Sequence, residues 1–406
     1  MRPEVPPWLP GLPQRWGLAR GRTMAQLVQR QPSAEEGVVT AFRDGQVTLR
    51  SNRRLEGFTE ALQETGYQSV RTGELVIHSM DGFAGAVGVS ESDGKMSPVV
   101  HIYSVPDDNP YYVAYALRVA ALSGFIQSLA KGIRERSTSF DKATFKDMLL
   151  PHPCRKEQDA IVAYLDRETA RIDTLIAEQQ RLIELLRERR ADLISHAVLD
   201  ATSQRTQLRR LVDVIDCAHV TAEFVADDYR FPVASIRECQ GATVDLSACN
   251  YTTAEFFEHL RAGDRAPRAG DLLFIRNVSV GLASVVAPDL PEFAMGQETV
   301  LLRRKSDVHP AFLRYALVGA EARHAIEGAM IGSTFRRINV SAIRSLQVPT
   351  PFIDEQRRIA AYLDEQTAKI DALVAESERF IELARERRSA LITAAVTGQI
   401  DVRGVA

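Results

Sequence analysis

The sequence predicts an α+β fold built as an internal repeat, in which two α+β domains are each followed by a long helix. Three observations predict it. First, the stretch EQDAIVAYLDRETARIDTLIAEQQRLIEL from Glu157 recurs from Glu355 as EQRRIAAYLDEQTAKIDALVAESERFIEL, with 18 of 29 positions identical at a constant offset of 198. Second, each copy carries apolar residues at helical spacing. Third, the segments between the copies hold short strand-like runs behind Gly-acidic turns. The divisions are 1–153 for the first α+β domain, 154–200 for the first helical segment, 201–352 for the second domain and 353–406 for the second helical segment.

The start, MRPEVPPWLPGLPQRW, is proline-rich and has no apolar run, so it is not expected to be a secretory signal. Within the first domain, VRTGELVIHSMDGFAGAVGV from Val70 resembles PRAGDLLFIRNVSVGLASVV from Pro267 in the second. Each reads as a strand after a Gly-acidic turn, followed by a second strand. NPYYVAYAL from Asn109 resembles HPAFLRYAL from His309, and GIRERST from Gly132 resembles GAMIGST from Gly328. LPHPCRKEQ from Leu150 then matches VPTPFIDEQ from Val348, and each long helix starts after its Pro-x-Pro because proline cannot continue a preceding helix.

The long helices carry a heptad seam. In the first copy it is Ile172, Ile176, Ile183, Leu186, Leu193 and Ala197, with Gln179 and Arg190 in the polar gaps. In the second it is Ile370, Val374, Ile381, Ala384, Leu391 and Ala395, with Ser377 and Arg388 in the gaps. A helix of about 40 residues at ~1.5 Å per residue is roughly 60 Å long. A seam of that length needs a partner, and the obvious partner of each copy is the other.

Hydrophobic residues make up 45% and charged residues 25%, the balance of an ordinary globular protein. No 18-residue apolar run exists, and VAYALRVAALSGFIQSLA is interrupted by Arg118, so no membrane partner is expected. Cys154, Cys217, Cys239 and Cys249 lack CxxC spacing, which argues against zinc and for free thiols in a reducing cytoplasm. Net charge is −3, but the acidic excess sits in the helical segments, each −2, while the two domains are +1 and 0. Any anionic partner is therefore met by local arginine clusters: Arg50/Arg53/Arg54, Arg261/Arg265/Arg268, Arg303/Arg304/Lys305 and Arg336/Arg337. About half of these are expected to be ordinary salt-bridged surface.

Three motifs invite enzymatic readings. DNPYY from Asp108 resembles an amino-methyltransferase loop, but no Gly-rich cofactor loop accompanies it; a helix N-terminus capped by Asn109 or Asp108, with Pro110 in the first turn, is the better reading. GVSESDGKM has the wrong spacing for a phosphate loop and reads as a hairpin turn at Asp93-Gly94. Asp93-x-Lys95 lacks the second carboxylate that a nuclease needs. His78 and His219 stand alone and suit core or groove-lining positions better than metal binding.

The doubled Pro-x-Pro-x3-EQ-x2-I-x2-YLD-x2-TA-x-ID entries at Pro151 and Pro349 resemble those of the DNA-specificity subunit of type I restriction–modification systems. So do the endings RERRADLISHAV and RERRSALITAAVTGQIDVR and the stretch GELVIHSMDGFAGAVGVSESDGKMSP. The resemblance covers essentially the whole chain. It implies that 1–153 and 201–352 are target recognition domains, each reading half of a bipartite double-stranded DNA site. It also implies that the two helices form an antiparallel coiled coil that sets their spacing and docks two modification subunits, restriction subunits completing the complex. Such a chain has no catalytic centre and no cofactor; S-adenosylmethionine, ATP and magnesium are expected in the partners.

The residues support this reading: a duplicated chain gives two heads about a pseudo-twofold axis, and unequal heads imply an asymmetric target. The residues expected at DNA are Arg53, Arg54, His78, Ser79 and Lys95 in the first head, and His219, Arg237, Arg276, Asn277, Arg336 and Arg337 in the second. Arg276 and Asn277 follow the strand GDLLFI, where a loop projects toward a groove, and Arg336 and Arg337 suit phosphates. The first copy lacks the TGQIDVR tail, which is expected to close against the N-terminus. Two other readings stay open. A coiled-coil scaffold without DNA specificity would show no salt-dependent DNA binding, and a one-chain methyltransferase or nuclease would bind S-adenosylmethionine or metal.

Overall fold

The computed structural model describes residues 5–9, 11–53, 65–129, 140–226, 230–332 and 336–404. The elements that carry the argument begin with β1 (Gly17–Arg20), β2 (Gln26–Val28), β3 (Leu75–His78), β4 (Val87–Val89) and β5 (Val100–Ser104). Helix α1 (Pro110–Leu122), β6 (Leu149–His152) and the 45-residue helix α2 (Arg155–Leu199) follow. The second half repeats the order with β7 (Arg205–Gln207), β8 (Val212–Asp216), β9 (Leu272–Ile275), β10 (Ala283–Val285), β11 (Thr299–Arg304), α3 (Pro310–Val318), β12 (Gln347–Pro349) and α4 (Ile353–Val396). No helix among the described residues is long and apolar enough to cross a membrane.

The chain forms two compact units that cut across the sequence divisions: unit 1 is Met1–Gln179 with Phe380–Ala406, and unit 2 is Gln180–Arg379. Each unit therefore owns one α+β domain and part of each long helix.

In unit 1 an antiparallel sheet runs β2-β5-β3-β4, and in unit 2 the corresponding sheet runs β8-β11-β9-β10. The register also corresponds: Leu75 faces Tyr103 and Val89 in unit 1, and Leu272 faces Leu302 and Val285 in unit 2. The Gly-acidic turn before the central strand is built alike. Gly73 and Gly270 take φ +90° and +83°, a conformation open to glycine at little cost. The adjacent Glu74 and Asp271 carboxylates accept from the backbone N–H of Arg71 and Arg268. The heads differ outside this sheet. Unit 1 adds the hairpin Val39–Ala41 with Val47–Leu49 and the pair Gln68–Val70 with Gly94–Met96. Unit 2 adds a second four-stranded sheet of Phe224–Val225, Asn250–Thr252, Pro232–Ala234 and Ala294–Met295.

The repeated EQ motif clamps each head onto its helix. Gln158 is fully buried; its Oε1 accepts from the Asn109 backbone N–H at 2.8 Å, and its Nε2 donates to the Pro153 carbonyl at 3.1 Å. Gln356 does the same with the N–H of His309 and the carbonyl of Pro351, both at 2.8 Å. One amide thus satisfies a donor at the start of α1 or α3 and an acceptor left over beside the Pro-x-Pro. The YLD aspartates follow suit: Tyr115 donates to Asp166 and Tyr315 to Asp364. The YLD leucines, Leu165 and Leu363, are fully buried.

Burial along the two long helices has the period of the expected seam. Ile172, Ile176, Gln179, Ile183, Leu186 and Arg190 are buried or half-buried while every residue between them is exposed, and the same holds from Ile370 through Val374, Ser377, Ile381 and Ala384 to Arg388. In unit 1, Ile161 and Leu165 share a core with Ala395 and Val396, and Asp173 pairs with Arg388 at 2.9 Å. In unit 2, Ile194 and Val198 share a core with Ile359 and Leu363, and Arg190 pairs with Asp371 at 2.8 Å. Within each unit the helical segments therefore run antiparallel. The two ion pairs are the same pair 198 residues apart. Leu193, Leu391, Ala197 and Ala395 complete the seam toward the helix ends.

Two further expectations fall in unit 1. The tail meets the N-terminal segment: a Cβ on Gly398 would lie 2.5 Å from Pro13, and Val402 joins the core of Trp8, Leu9 and Trp16. The expected Asp93-Gly94 hairpin turn is not formed. Gly94 lies inside the strand Gly94–Met96, which crosses to pair with Gln68–Val70, and a Cβ there would sit 2.5 Å from the Gly37 carbonyl. Close approach of another strand, rather than a turn, accounts for that glycine. Asn109 caps α1 by accepting from Tyr111 and Tyr112, with Pro110 in the first turn. The GIRERST stretch lies outside the described residues.

Candidate nucleic-acid interface

Strand β9 is buried along its length and stops at Ile275, where the chain turns outward. The Arg276 N–H donates to the Glu298 carbonyl at 2.8 Å, and the Arg276 carbonyl accepts from Ile338 at 2.9 Å. Val278 is held at φ +63°, its N–H on the Arg336 carbonyl at 3.0 Å, and Asn277 bridges to Arg337. Two loops that are sixty residues apart in sequence are thereby fixed against each other. Together they wall a cleft of about 380 Å³ lined by His219, Asn277, Val278, Gln297, Glu298, Arg336 and Arg337.

Four residues singled out from the sequence thus converge on one cleft: His219, Asn277, Arg336 and Arg337. Arg336 and Arg337 are exposed, and among the described residues neither guanidinium has a hydrogen bond or an ion pair. Arg276 is different. Its side chain is 13% exposed, and its Nη1 donates to Asp216 Oδ1 at 2.6 Å. Asp216 Oδ2 in turn meets His219 Nε2 at 3.0 Å. Burial alone would raise the Asp216 carboxyl, but the Arg276 hydrogen bond and charge outweigh it and hold the group below the usual carboxylate range. Arg276 therefore turns inward and braces the wall of the cleft instead of projecting from it, which corrects its expected role as a base contact. Sequence reasoning missed Gln297 and Glu298; a polar pair at the entry to β11 was their only local signal. It also missed Asp216, whose partner lies 60 residues away.

The corresponding loop of unit 1 is tied in the same way. Ser79 donates its N–H to the Val99 carbonyl and accepts from Phe140, both at 2.8 Å. His78 is half-buried, with Nδ1 accepting from the Asp81 N–H at 3.0 Å. Burial pushes its imidazole below the ordinary value; Asp81 opposes this and Arg43 adds to it. Lys95 is only 7% exposed and its ammonium reaches the Ala34 carbonyl at 3.4 Å, so it offers no charge at the surface. Arg53 is spent on Asp44 and lies over the Phe42 ring at 4.1 Å. Arg54 lies outside the described residues. In unit 2, Arg237 stands at a separate pocket, its Nε on Glu238 at 3.0 Å. Several clustered cations are likewise held internally: Arg261 by Glu292, Arg303 by Asp271 and Lys305 by Asp213.

Asp216, Cys217 and His219 bring potential ligand atoms within 4.8 Å of one another. His219 offers opposite ring nitrogens to its two neighbours, Nε2 to Asp216 and Nδ1 to the Cys217 sulfur. Arg276 already occupies the carboxylate. The geometry is that of a hydrogen-bonded network, and a cation there would have to displace a guanidinium. Burial raises the thiols of Cys217 and Cys239, the latter to about 12, as for inert core cysteines.

Residues 252–381, which include the cleft's Asn277, Gln297, Glu298, Arg336 and Arg337, match the family model of the type I restriction modification DNA specificity domain. The type I restriction enzyme StySPI specificity subunit of Salmonella potsdam is 27% identical over 128 residues; the match takes in 30% of this chain and 28% of that relative's length. Among solved structures, a chain from work on complex assembly and conformational transition of the type I R-M system aligns with a TM-score of 0.75 at 16% identity. That alignment covers 96% of this chain and 100% of the other. The HsdS subunit from Thermoanaerobacter tengcongensis aligns with a TM-score of 0.57, also at 16% identity, over 96% and 98% of the two chains. At that identity the likeness is one of fold.

Proposed function

We propose, from its kinship with the specificity subunits of type I restriction–modification systems, that this chain is the DNA-reading, non-catalytic subunit of such a complex. The observation that carries the reading is the cleft of unit 2, where Arg336 and Arg337, without an ion pair or side-chain hydrogen bond among the described residues, stand beside Asn277 within the stretch that matches the specificity domain, with His219 also lining the cleft. Unpaired guanidiniums suit phosphates, and an asparagine amide suits the edge of an adenine. In this reading 1–153 and 201–352 are target recognition domains for the two halves of an asymmetric bipartite double-stranded site. Residues 154–200 and 353–406 form the spacer between them.

Partner docking is part of the same proposal. Each long helix exposes an apolar triplet at matching positions: Leu175, Leu182 and Leu185 on α2, and Leu373, Phe380 and Leu383 on α4. Two like surfaces on one chain suit two copies of one partner, the modification subunit, with restriction subunits joining them. Methyl transfer with S-adenosylmethionine, and cleavage driven by ATP and magnesium, would belong to those partners.

The test is a binding titration against single-base variants of the target at several salt concentrations. Arg337→Ala is expected to weaken all sequences alike and to reduce the salt slope by about one unit. Asn277→Ala is expected to relax discrimination at one base by ~1–3 kcal/mol. If both variants keep wild-type affinity, specificity and salt slope, the cleft does not face DNA.

A further inference from the structure

The repeated RERR motif feeds a pocket in each unit, and the two pockets are not equally satisfied. In unit 2, Arg187 and Arg190 enter a pocket with Arg314 and Arg323. Every one of these cations has a partner: Arg187 has Glu378 at 2.9 Å, Arg190 has Asp371 at 2.8 Å, Arg314 has the Ala283 carbonyl at 3.0 Å, and Arg323 has the Val318 carbonyl at 3.0 Å. In unit 1 the matching residues, Arg385 and Arg388, enter a cavity of about 380 Å³ with Arg118 from α1. Arg388 is held by Asp173. Among the described residues, Arg385 and Arg118 have neither an ion pair nor a side-chain hydrogen bond. In sequence, the position of the first copy that matches Glu378 is Gln180, which carries no charge.

Arg118 is not a loose surface side chain. It is half-buried, and its guanidinium lies so close over Gly45 that a Cβ there would fall 1.7 Å from Nη1. Burial and the charge of Arg388 both lower its affinity for a proton, with Asp44 and Tyr115 opposing them. The nearby acids are already engaged: Asp44 by Arg53, Asp166 by Tyr115, and Asp173 by Arg388. Three arginines thus line one concavity, and among the described residues two of them have no ion pair or side-chain hydrogen bond, while Trp8, Leu122 and Ile392 give it an apolar wall. Gathering like charges in a half-buried pocket is unfavourable unless an anion enters.

We propose that the Arg118–Arg385–Arg388 pocket of unit 1 binds a small molecule carrying a phosphate-type oxyanion, and that its counterpart in unit 2, internally neutralised, does not. The concave form and apolar wall suit a compact ligand better than a convex DNA backbone. Guanidiniums bind phosphate through charge-assisted, often two-point hydrogen bonds. The proposal does not rest on the DNA-reading function, and the two fail separately.

The test is calorimetric titration of the full chain with inorganic phosphate and with pyrophosphate. One saturable site is expected, with pyrophosphate the tighter ligand. Arg118→Met and Arg385→Ala are each expected to weaken it about tenfold, whereas Arg187→Ala in unit 2 changes it less than about twofold. DNA affinity should be unchanged in all three. Thermal unfolding reports whether each variant is folded, and Arg118→Lys, which keeps a charge, should recover part of the binding. The absence of a saturable site, an equal loss in Arg187→Ala, or displacement of pyrophosphate by a short random duplex would each overturn the proposal.

Discussion

The two units share a frame and differ at its edges. The sheets β2-β5-β3-β4 and β8-β11-β9-β10 have the same order, and the loops after β3 and β9 are tied by equivalent backbone hydrogen bonds at Ser79 and Arg276. Gln158 and Gln356 make the same clamp, and Arg190–Asp371 repeats as Arg388–Asp173. What differs lies outside that sheet: a hairpin and a strand pair in unit 1, a second four-stranded sheet in unit 2, and the side chains the loops present. The lesson is physical. Buried polar groups such as the clamp glutamines must be satisfied, so their substitution is costly in both copies. Loop side chains carry no such obligation and can diverge toward different ligands.

The comparison makes predictions that can break it, from the largest effect downward. Leu165→Ala and Leu363→Ala remove fully buried side chains from matching places, and each should cost about 2–5 kcal/mol in calorimetric unfolding. A large loss in one and none in the other would show that the two junctions are not equivalent. Gln158→Ala and Gln356→Ala leave a donor and an acceptor unpaired, and should cost roughly 1–3 kcal/mol each. If both melt like the wild type, the clamp is incidental.

Acid should separate the units. Burial, aided by Lys142 and opposed by Asp141, lowers His101 in unit 1 from 6.5 to about 4, and His78 shifts the same way. A histidine whose folded pKa is depressed stabilises the fold above its unfolded value. That contribution is lost as pH falls from about 6.5 toward 4, because the unfolded chain takes up the proton first. In unit 2 His309 is shifted in the same direction but is less enclosed. Unfolding at pH 7 and pH 5 should therefore show unit 1 weakening more, and His101→Gln should flatten that dependence. An unchanged dependence in the variant would assign the acid sensitivity elsewhere. The smallest effect belongs to the seam ion pairs. Their carboxylates are about half exposed, so Arg190→Ala and Arg388→Ala should each cost at most about 1 kcal/mol. A substantially larger loss in Arg388→Ala would mean that this residue has a second role in its pocket.

Local pattern made much of the molecule legible. The helices and their seam follow from a 3.6-residue period, Pro-x-Pro marks where they begin, and Asn109-Pro110 marks the start of α1. These features depend on neighbours within a few residues, so a single sequence displays them. The candidate site was legible in part. Asn277, Arg336 and Arg337 were recognisable because they stand where strands and helices give way to loops. Which cations remain available was not. Lys95 is buried, Arg53 is committed to Asp44, and Arg276 is committed to Asp216 from a strand 60 residues away. The sequence by itself determined the duplication, the long helices and the kinds of side chain in the loops. Only the tertiary structure decided which charges are neutralised and which stay open, because that depends on carboxylates and carbonyls brought close by folding rather than by position along the chain.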